Sequence, residues 1–299
     1  MRMRNRCVVA SLMCAAFLPA VVAAATDPPQ AASSEVRELG PGLHLYGGGD
    51  VNTIVWTGAD GTALVGGWGD DAIAAARQVS QAPIRYVVAT HWHPAASAGD
   101  AGPAAGATLI AQDALRTLMA APHRDAETGQ LVSAAARGAL PVITFDDTLM
   151  IHLNGSQLDV LHVADARGPG DVVAWWPAQN VAHVGDLYDP AGFPFVDLAR
   201  GGTLAGIVAA LETVLSRADD ATVIVPGHGP VADRAGLGDY RGMLVAVGRR
   251  VAELVGQGLT LEEVLAAEPA GEYERRYGGG RVAADRFVRL VYGDLTRRR

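Results

Sequence analysis

With 299 residues, the chain is long enough to bury a hydrophobic core of its own. Its formal net charge of −8 at pH 7 is a poor match for nucleic acid or for an anionic membrane surface. All 24 of its basic residues are arginine, and the absence of lysine excludes Schiff-base chemistry.

The first 25 residues have the pattern of a secretory signal peptide. Arg2, Arg4 and Arg6 precede an apolar run, which ends in small residues up to Ala25. The alternative, an N-terminal membrane anchor, is disfavoured because the run is short. We therefore expect a periplasmic or secreted protein with no membrane insertion after cleavage, consisting of a signal peptide (residues 1–25), a flexible leader (26–34) and one domain (35–299).

Both cysteines, Cys7 and Cys14, lie within this predicted signal peptide. The remainder of the chain has no thiol, which excludes a disulfide, a cysteine nucleophile and a cysteine metal ligand. Cleavage of the signal peptide would also remove three arginines and leave the mature chain more acidic. We expect a small-molecule ligand or substrate of unknown identity as its partner, and no nucleic acid.

Short β-type runs open the predicted domain, and strands and helices then alternate. The predicted strands are Leu43–Tyr46, Asn52–Trp56, Ala63–Val65, Ile84–Ala89, Thr108–Ala111, Leu149–Leu153, Gln157–Val163, Val172–Trp176, Val181–Val184 and Thr222–Val225. The predicted helices are Asp70–Ser80, Gln112–Ala120, Leu204–Ser216, Tyr240–Gly256 and Arg281–Leu295, with an alanine-rich and partly mobile helical stretch over Pro122–Gly138. Asn154-Gly155 suits a type I′ hairpin turn. This order fits an α/β sandwich with sheets inside and helices outside.

His91 and His93 follow the predicted strand Ile84–Ala89 and share one loop. Both imidazoles can turn toward one point there, and neutral imidazole is the commonest protein ligand for zinc. Two histidines at this spacing are a weak indication alone, since chance produces the same pattern.

Three later segments repeat the arrangement of a strand end followed by glycine and polar residues. They are His162–Asp171, the run His183-Val184-Gly185-Asp186, and the run Pro226-Gly227-His228-Gly229-Pro230. Together with the first loop, and with Pro194–Asp197, Gly201–Thr203 and Arg276–Gly280, they resemble the metallo-β-lactamase superfamily. The resemblance implies an αββα sandwich of the metallo-β-lactamase type, with a two-metal site at one edge between the sheets.

The resemblance also implies a set of metal ligands, of which this chain keeps only part. His91, His93, Asp186 and His228 match ligand positions. Four positions depart from the pattern: Ala95 replaces an aspartate, Ala96 and Arg167 replace histidines, and Gly66 replaces an aspartate that orients a ligand. His162 could supply a missing ligand, but a structural role is expected for it and for His183.

These losses leave two hypotheses of different class. One is a non-catalytic, ligand-binding protein with an eroded zinc site; the other is a metal-dependent hydrolase that uses one rearranged zinc. Because catalytic zinc normally has three protein ligands, we expect at most one zinc, held weakly. The substrate is not predicted, since one fold serves many reactions.

Arg167 suggests what replaces the lost charge. Without metals, Asp186 is a partly buried carboxylate that must find a cation or take a proton. An arginine at a lost ligand position can pair with a carboxylate through two parallel hydrogen bonds. We therefore predict that Arg167 pairs with Asp186, the alternative being that Arg167 turns out to solvent.

Overall fold

The computed structural model describes residues 36–47, 51–92 and 106–297. Its strands are β1 Val36–Gly40, β2 Leu43–Tyr46, β3 Thr53–Gly58, β4 Gly61–Gly66, β5 Ile84–Val88, β6 Thr108–Gln112, β7 His123–Arg124, β8 Leu131–Val132, β9 Ile143–Phe145, β10 Thr148–Leu153, β11 Ser156–His162, β12 Val172–Trp176, β13 Val181–Gly185 and β14 Val223–Pro226. Its α-helices are α1 Asp70–Val79, α2 Asp113–Met119, α3 Leu204–Arg217, α4 Arg234–Gly256, α5 Leu261–Ala266, α6 Glu274–Tyr277 and α7 Ala284–Arg297. Short 3₁₀ turns occupy Arg137–Ala139, Leu198–Arg200 and Gly271–Tyr273.

The strands form two main sheets. The first has the order β1-β2-β3-β4-β5-β6-β9, antiparallel as far as β4 and parallel from there on. The second has the order β10-β11-β12-β13-β14, of which only β13 and β14 are a parallel pair. The β10–β11 turn has positive φ at both Asn154 and Gly155, as a type I′ turn requires.

Alternation along the strands sends one set of apolar side chains to each face of each sheet. Between the sheets, Trp56 and Trp176 meet edge to face, with ring centroids 6.1 Å apart. The outer face of the first sheet packs on α1 and α2, and that of the second sheet packs on α3, α4 and α7. The layers are therefore helix, sheet, sheet and helix, and the predicted αββα sandwich is confirmed.

One predicted helix is wrong. Residues 122–138 form the short β7–β8 hairpin and the 3₁₀ turn Arg137–Ala139 instead. The carboxylate of Asp125 accepts hydrogen bonds from the backbone nitrogen and the hydroxyl of Thr128, both at 2.7 Å. These hydrogen bonds from the chain to an aspartate side chain stabilise a turn in preference to a helix. The alanine content of the segment alone did not indicate a turn.

The C-terminal helices differ from prediction at their ends. Helix α4 begins at Arg234 instead of Tyr240, because the Asp233 carboxylate caps its first turn through Gly236. Helix α7 begins at Ala284, so Arg281 precedes it. Helix α5 was not predicted; Thr260 and Glu263 form a capping box at its start.

The two sheets are joined where their parallel strands end. The side chain of Asn52, which precedes β3, donates to the carbonyl oxygens of Pro226 and Gly229 at 2.9 and 2.8 Å. On the other side of this edge, the Val172 nitrogen donates to the Thr90 oxygen at 2.8 Å. These bonds fix the segments that follow β5, β13 and β14 relative to one another. Among the described residues, no helix is both long and apolar enough to cross a membrane.

Candidate functional site

Asp186 lies at the centre of the site, directly after β13, with 6% of its surface exposed. Its Oδ1 atom lies 2.6 Å from His228 Nδ1 and 3.7 Å from His91 Nε2. Its Oδ2 atom lies 2.6 Å from Arg281 Nη2 and 3.3 Å from Arg167 Nη2. One carboxylate oxygen therefore faces two imidazoles, and the other faces two guanidinium groups.

The neighbours of Asp186 come from strand ends that the sandwich brings together. His91 follows β5 in the first sheet, and His228 follows β14, the parallel neighbour of β13. The Thr90 hydroxyl lies 3.0 Å from His91 Nδ1 and helps to fix the ring. The Gly227 nitrogen donates to the Gly185 oxygen at 2.7 Å, which joins the two turns of the second sheet.

Arg167 is buried and directed toward Asp186, so the predicted pairing is confirmed. Its carbonyl oxygen accepts a hydrogen bond from Asp197 at 2.7 Å, and its guanidinium carbon lies 6.0 Å from the Phe195 ring centroid. Although burial opposes the charged form, the neighbouring carboxylates hold the pKa of Arg167 above its ordinary value. Arg167 is thus a fixed cation within the site.

Arg281 is a second cation that the sequence analysis missed. The loop before it packs backbone against backbone: a β-carbon on Gly280 would lie 2.2 Å from the Gly192 α-carbon. An isolated β-bridge joins Gly192 to Gly278 in the same place. Only glycine permits this approach, which carries Arg281 to Asp186. The sequence pattern assigns Arg281 to the start of the predicted helix Arg281–Leu295 and gives no indication that it reaches Asp186.

Glu127, on the β7–β8 turn, is a third residue that the sequence analysis missed. Its Oε2 atom lies 2.9 Å from Arg167 Nη2, and its Oε1 atom lies 3.9 Å from Arg281 Nη1. The same turn is attached to the first loop, since Trp92 Nε1 donates to Asp125 Oδ2 at 3.0 Å. Two arginines and two acidic residues therefore alternate in one network.

The network sets the protonation of its buried acids. Burial alone would raise the pKa of Asp186, yet the charges of His91 and Arg167 hold it well below its ordinary value. Burial raises the pKa of Asp171 to about 6. The charge of Arg167 and a hydrogen bond from the Gly168 nitrogen, at 2.8 Å, act in the opposite direction but only reduce this rise. At neutral pH both carboxylates are ionised.

The remaining predicted positions have different outcomes. His93, Ala95 and Ala96 lie outside the described residues. His162 ends β11 and lines a separate cavity with Trp175, so it is not brought to Asp186.

His183 has the structural role expected of it. It is fully buried, and this burial lowers its pKa to about 4. Its Nε2 atom lies 3.1 Å from the main-chain carbonyl oxygen of Asn52. At Gly66, a β-carbon would lie only 2.8 Å from this same nitrogen, so the His183 ring occupies the space that a side chain there would need. The absence of an aspartate at position 66 and the burial of His183 are therefore linked, because the two side chains would compete for the same space.

Among the described residues, His91, Asp186 and His228 form a group of the right types to hold a metal, with ligand atoms within 4.8 Å of one another. Zinc lies about 2.0–2.2 Å from nitrogen and oxygen ligands, which places two tetrahedral ligands roughly 3.3 Å apart. The 2.6 Å between His228 and Asp186 is a hydrogen-bond distance instead. Two guanidinium groups on the same carboxylate would also repel a divalent cation. As arranged, the described residues form an ion-paired site, and a further candidate ligand, His93, lies outside them.

Replacement of Arg167 by methionine is expected to destabilise the fold by about 3–5 kcal/mol, because it leaves buried carboxylates without their cation. Urea unfolding at pH 7 measures this change. The matched control is Arg241→Met, which breaks the exposed pair with Glu212 and should cost about 0–1 kcal/mol. Equal losses in the two variants would contradict a buried, structural role for Arg167.

Replacement of Asp171 by asparagine should change how stability depends on pH. Between about pH 4 and 6 the folded protein keeps a proton on Asp171 that the unfolded chain releases, so the contribution of Asp171 to stability falls as the pH rises. The Asn variant lacks this loss and should gain about 2 kcal/mol relative to wild type from pH 4 to pH 6, with little further gain above. Urea unfolding at pH 4, 5, 6 and 8 tests this; a constant difference between the two proteins would refute it.

Comparison with known proteins agrees with this architecture. The sequence matches the family model of the metallo-beta-lactamase superfamily over residues 46–228. No curated protein matches the sequence.

Among solved structures, a stereoselective inverting sec-alkylsulfatase from Pseudomonas sp. is similar at a TM-score of 0.64 and 20% identity, covering 86% of this chain and 49% of that one. The chain thus spans about half the length of the alkylsulfatase. A metallo-beta-lactamase from Pontibacter korlensis matches at a TM-score of 0.54 and 22% identity, covering 71% of this chain and 98% of that one. A metallo-beta-lactamase from Hirschia baltica matches at a TM-score of 0.53 and 20% identity, covering 70% and 97%. The chain belongs to the metallo-beta-lactamase superfamily.

Proposed function

We propose that the protein is an exported, non-catalytic member of its superfamily that binds a small molecule at a site held together by ion pairs in place of metal ions. The observation that carries this proposal is the environment of Asp186, whose Oδ2 atom is shared by Arg281 at 2.6 Å and Arg167 at 3.3 Å. Two fixed cations supply the positive charge that metal ions would otherwise bring to this carboxylate.

A binding role without hydrolysis agrees with this chemistry. Metal-assisted hydrolysis needs a cation with an open position that lowers the pKa of bound water. A guanidinium group offers no such position, since it donates hydrogen bonds and stays protonated. The charged side chains around Asp186 can thus orient a ligand through hydrogen bonds, and neither Arg167 nor Arg281 can take the part of a metal ion that activates water.

The second candidate is a hydrolase that uses a single zinc. It is favoured by the grouping of His91, Asp186 and His228, which are three ligand types that zinc accepts. His93 would belong to the same set. For this function Arg167 and Arg281 would have to leave Asp186, which would cost both ion pairs.

Zinc content separates the two functions. After exposure to zinc and removal of free metal, elemental analysis of the wild-type protein should find well below one equivalent per chain. Restoring the family ligands with Ala95→Asp, Ala96→His and Arg167→His should raise zinc affinity, and adding Arg281→Ser should raise it further, because that arginine also neutralises Asp186.

Asp186→Ala in the restored background is the control and should remove most of the gain, since it deletes the shared ligand. One tightly held zinc per wild-type chain would instead support the single-zinc hydrolase.

Export rests on the N-terminal sequence, which has a basic start, an apolar run and a small-residue end. In fractionated bacteria, the protein should be recovered outside the inner membrane and should begin near Ala25 or Thr26 by intact mass and N-terminal sequencing. Deletion of the apolar run should leave it in the cytosol. Full-length protein with Met1 in the cytosol would contradict export.

A further inference from the structure

Glu127 occupies an unusual position for a surface-turn residue. The turn that carries it is closed by backbone bonds, from the Asp125 nitrogen to the Gln130 oxygen and from the Gly129 nitrogen to the Asp125 oxygen, both 2.8 Å. The glutamate side chain nevertheless points into the site, with 14% of its surface exposed. Its carboxylate therefore serves the arginines and not the turn.

The carboxylate sits between two guanidinium groups. It lies 2.9 Å from Arg167 Nη2 and 3.9 Å from Arg281 Nη1. Asp186 shares the same Nη2 of Arg167, at 3.3 Å, and holds the other terminal nitrogen of Arg281, at 2.6 Å. Guanidinium groups bind carboxylate, sulfate and phosphate oxygens in the same planar, often bidentate manner. The place that Glu127 fills therefore has the donors that an oxyanion requires.

The backbone of the turn is anchored separately from this carboxylate. Arg286 donates to the Glu127 carbonyl oxygen, and Arg200 Nη2 donates to the Arg124 oxygen at 2.7 Å. Trp92 holds Asp125 of the same turn. Rotation about the Glu127 side chain alone would consequently free the two arginines without unfolding the hairpin.

The space beside Glu127 is small while the side chain is in place. A cavity of about 30 Å³, lined in part by Glu127, Arg167 and Phe195, adjoins it. That volume holds about one water molecule. An oxyanion can enter only if the Glu127 carboxylate gives up its position, and the entering anion then supplies the negative charge that the two arginines lose when the carboxylate moves away.

We propose that the carboxylate position of Glu127 is an oxyanion subsite, and that Glu127 is a built-in occupant displaced by the carboxylate, sulfate or phosphate group of the ligand. This inference rests on the proposed function and deepens it by naming the ligand class. Arg167, which is buried, forms the floor of the subsite, and Arg281, with 40% of its side chain exposed, forms its mouth.

Anion rescue of a glutamate deletion tests the proposal. In Glu127→Ala, acetate, sulfate and phosphate are titrated separately at constant ionic strength against chloride, with the melting temperature and calorimetric binding as readouts. At least one of the three should bind saturably and at least tenfold more tightly than to wild type, and the anion that binds identifies the group. Glu127→Gln should be intermediate, since a neutral amide competes less well for the arginines than a carboxylate does.

Glu212→Ala is the matched control, because it deletes the partner of Arg241 in an exposed pair. It should show no anion-specific gain. If Glu127→Ala does not fold, the comparison of Glu127→Gln with wild type decides the matter. The subsite is refuted if none of the anions binds the Glu127 variants more tightly than wild type, or if Glu212→Ala gains as much. The zinc content of the same samples is measured separately and tests the proposed function. A metal-free protein that shows no anion rescue would reject the oxyanion subsite and leave the proposed function standing.

Discussion

The buried charge of Asp186 constrains the whole site. An ionised carboxylate removed from water must be paired or protonated, and here its pKa is held well below the ordinary range. In this chain the groups that face it are the imidazoles of His91 and His228 and the guanidinium groups of Arg167 and Arg281. The loops that carry the two arginines, and the hairpin that carries Glu127, meet at the ion pairs around that single carboxylate.

The fold supports this arrangement through backbone contacts at the edge of the sandwich. Asn52 ties the start of β3 to the turn after β14, and its carbonyl oxygen meets the buried His183. Gly280 and Gly192 allow two loops to touch, which places Arg281. The site is therefore assembled from both sheets and the C-terminal segment, and no single element carries it.

The departures from the superfamily pattern are mutually consistent. Where a histidine ligand is missing, Arg167 supplies a permanent cation to the same carboxylate. Where the orienting aspartate is missing, Gly66 leaves room for the His183 ring. Each change would be costly alone, since it would leave a charge or a cavity uncompensated. Among the described residues, the changes at 66 and 167 are both compensated, and this is why we favour a binding role over a damaged enzyme.

Local sequence indicated most of the strands and helices and the layered α/β arrangement, because hydrophobic periodicity and turn residues act over a few neighbours. It did not indicate the short strands β1, β7, β8 and β9. The resemblance to the superfamily indicated His91, Asp186 and His228 as one site, and the chemistry of a buried carboxylate then indicated Arg167 as the partner of Asp186. Tertiary structure decided the rest. Glu127 enters from a hairpin that resembles a helix in composition, and Arg281 enters from a loop fixed by a glycine contact 88 residues away in the chain, Gly280 on Gly192. Such contacts depend on which backbones can approach each other, and no local pattern around either residue encodes that distance.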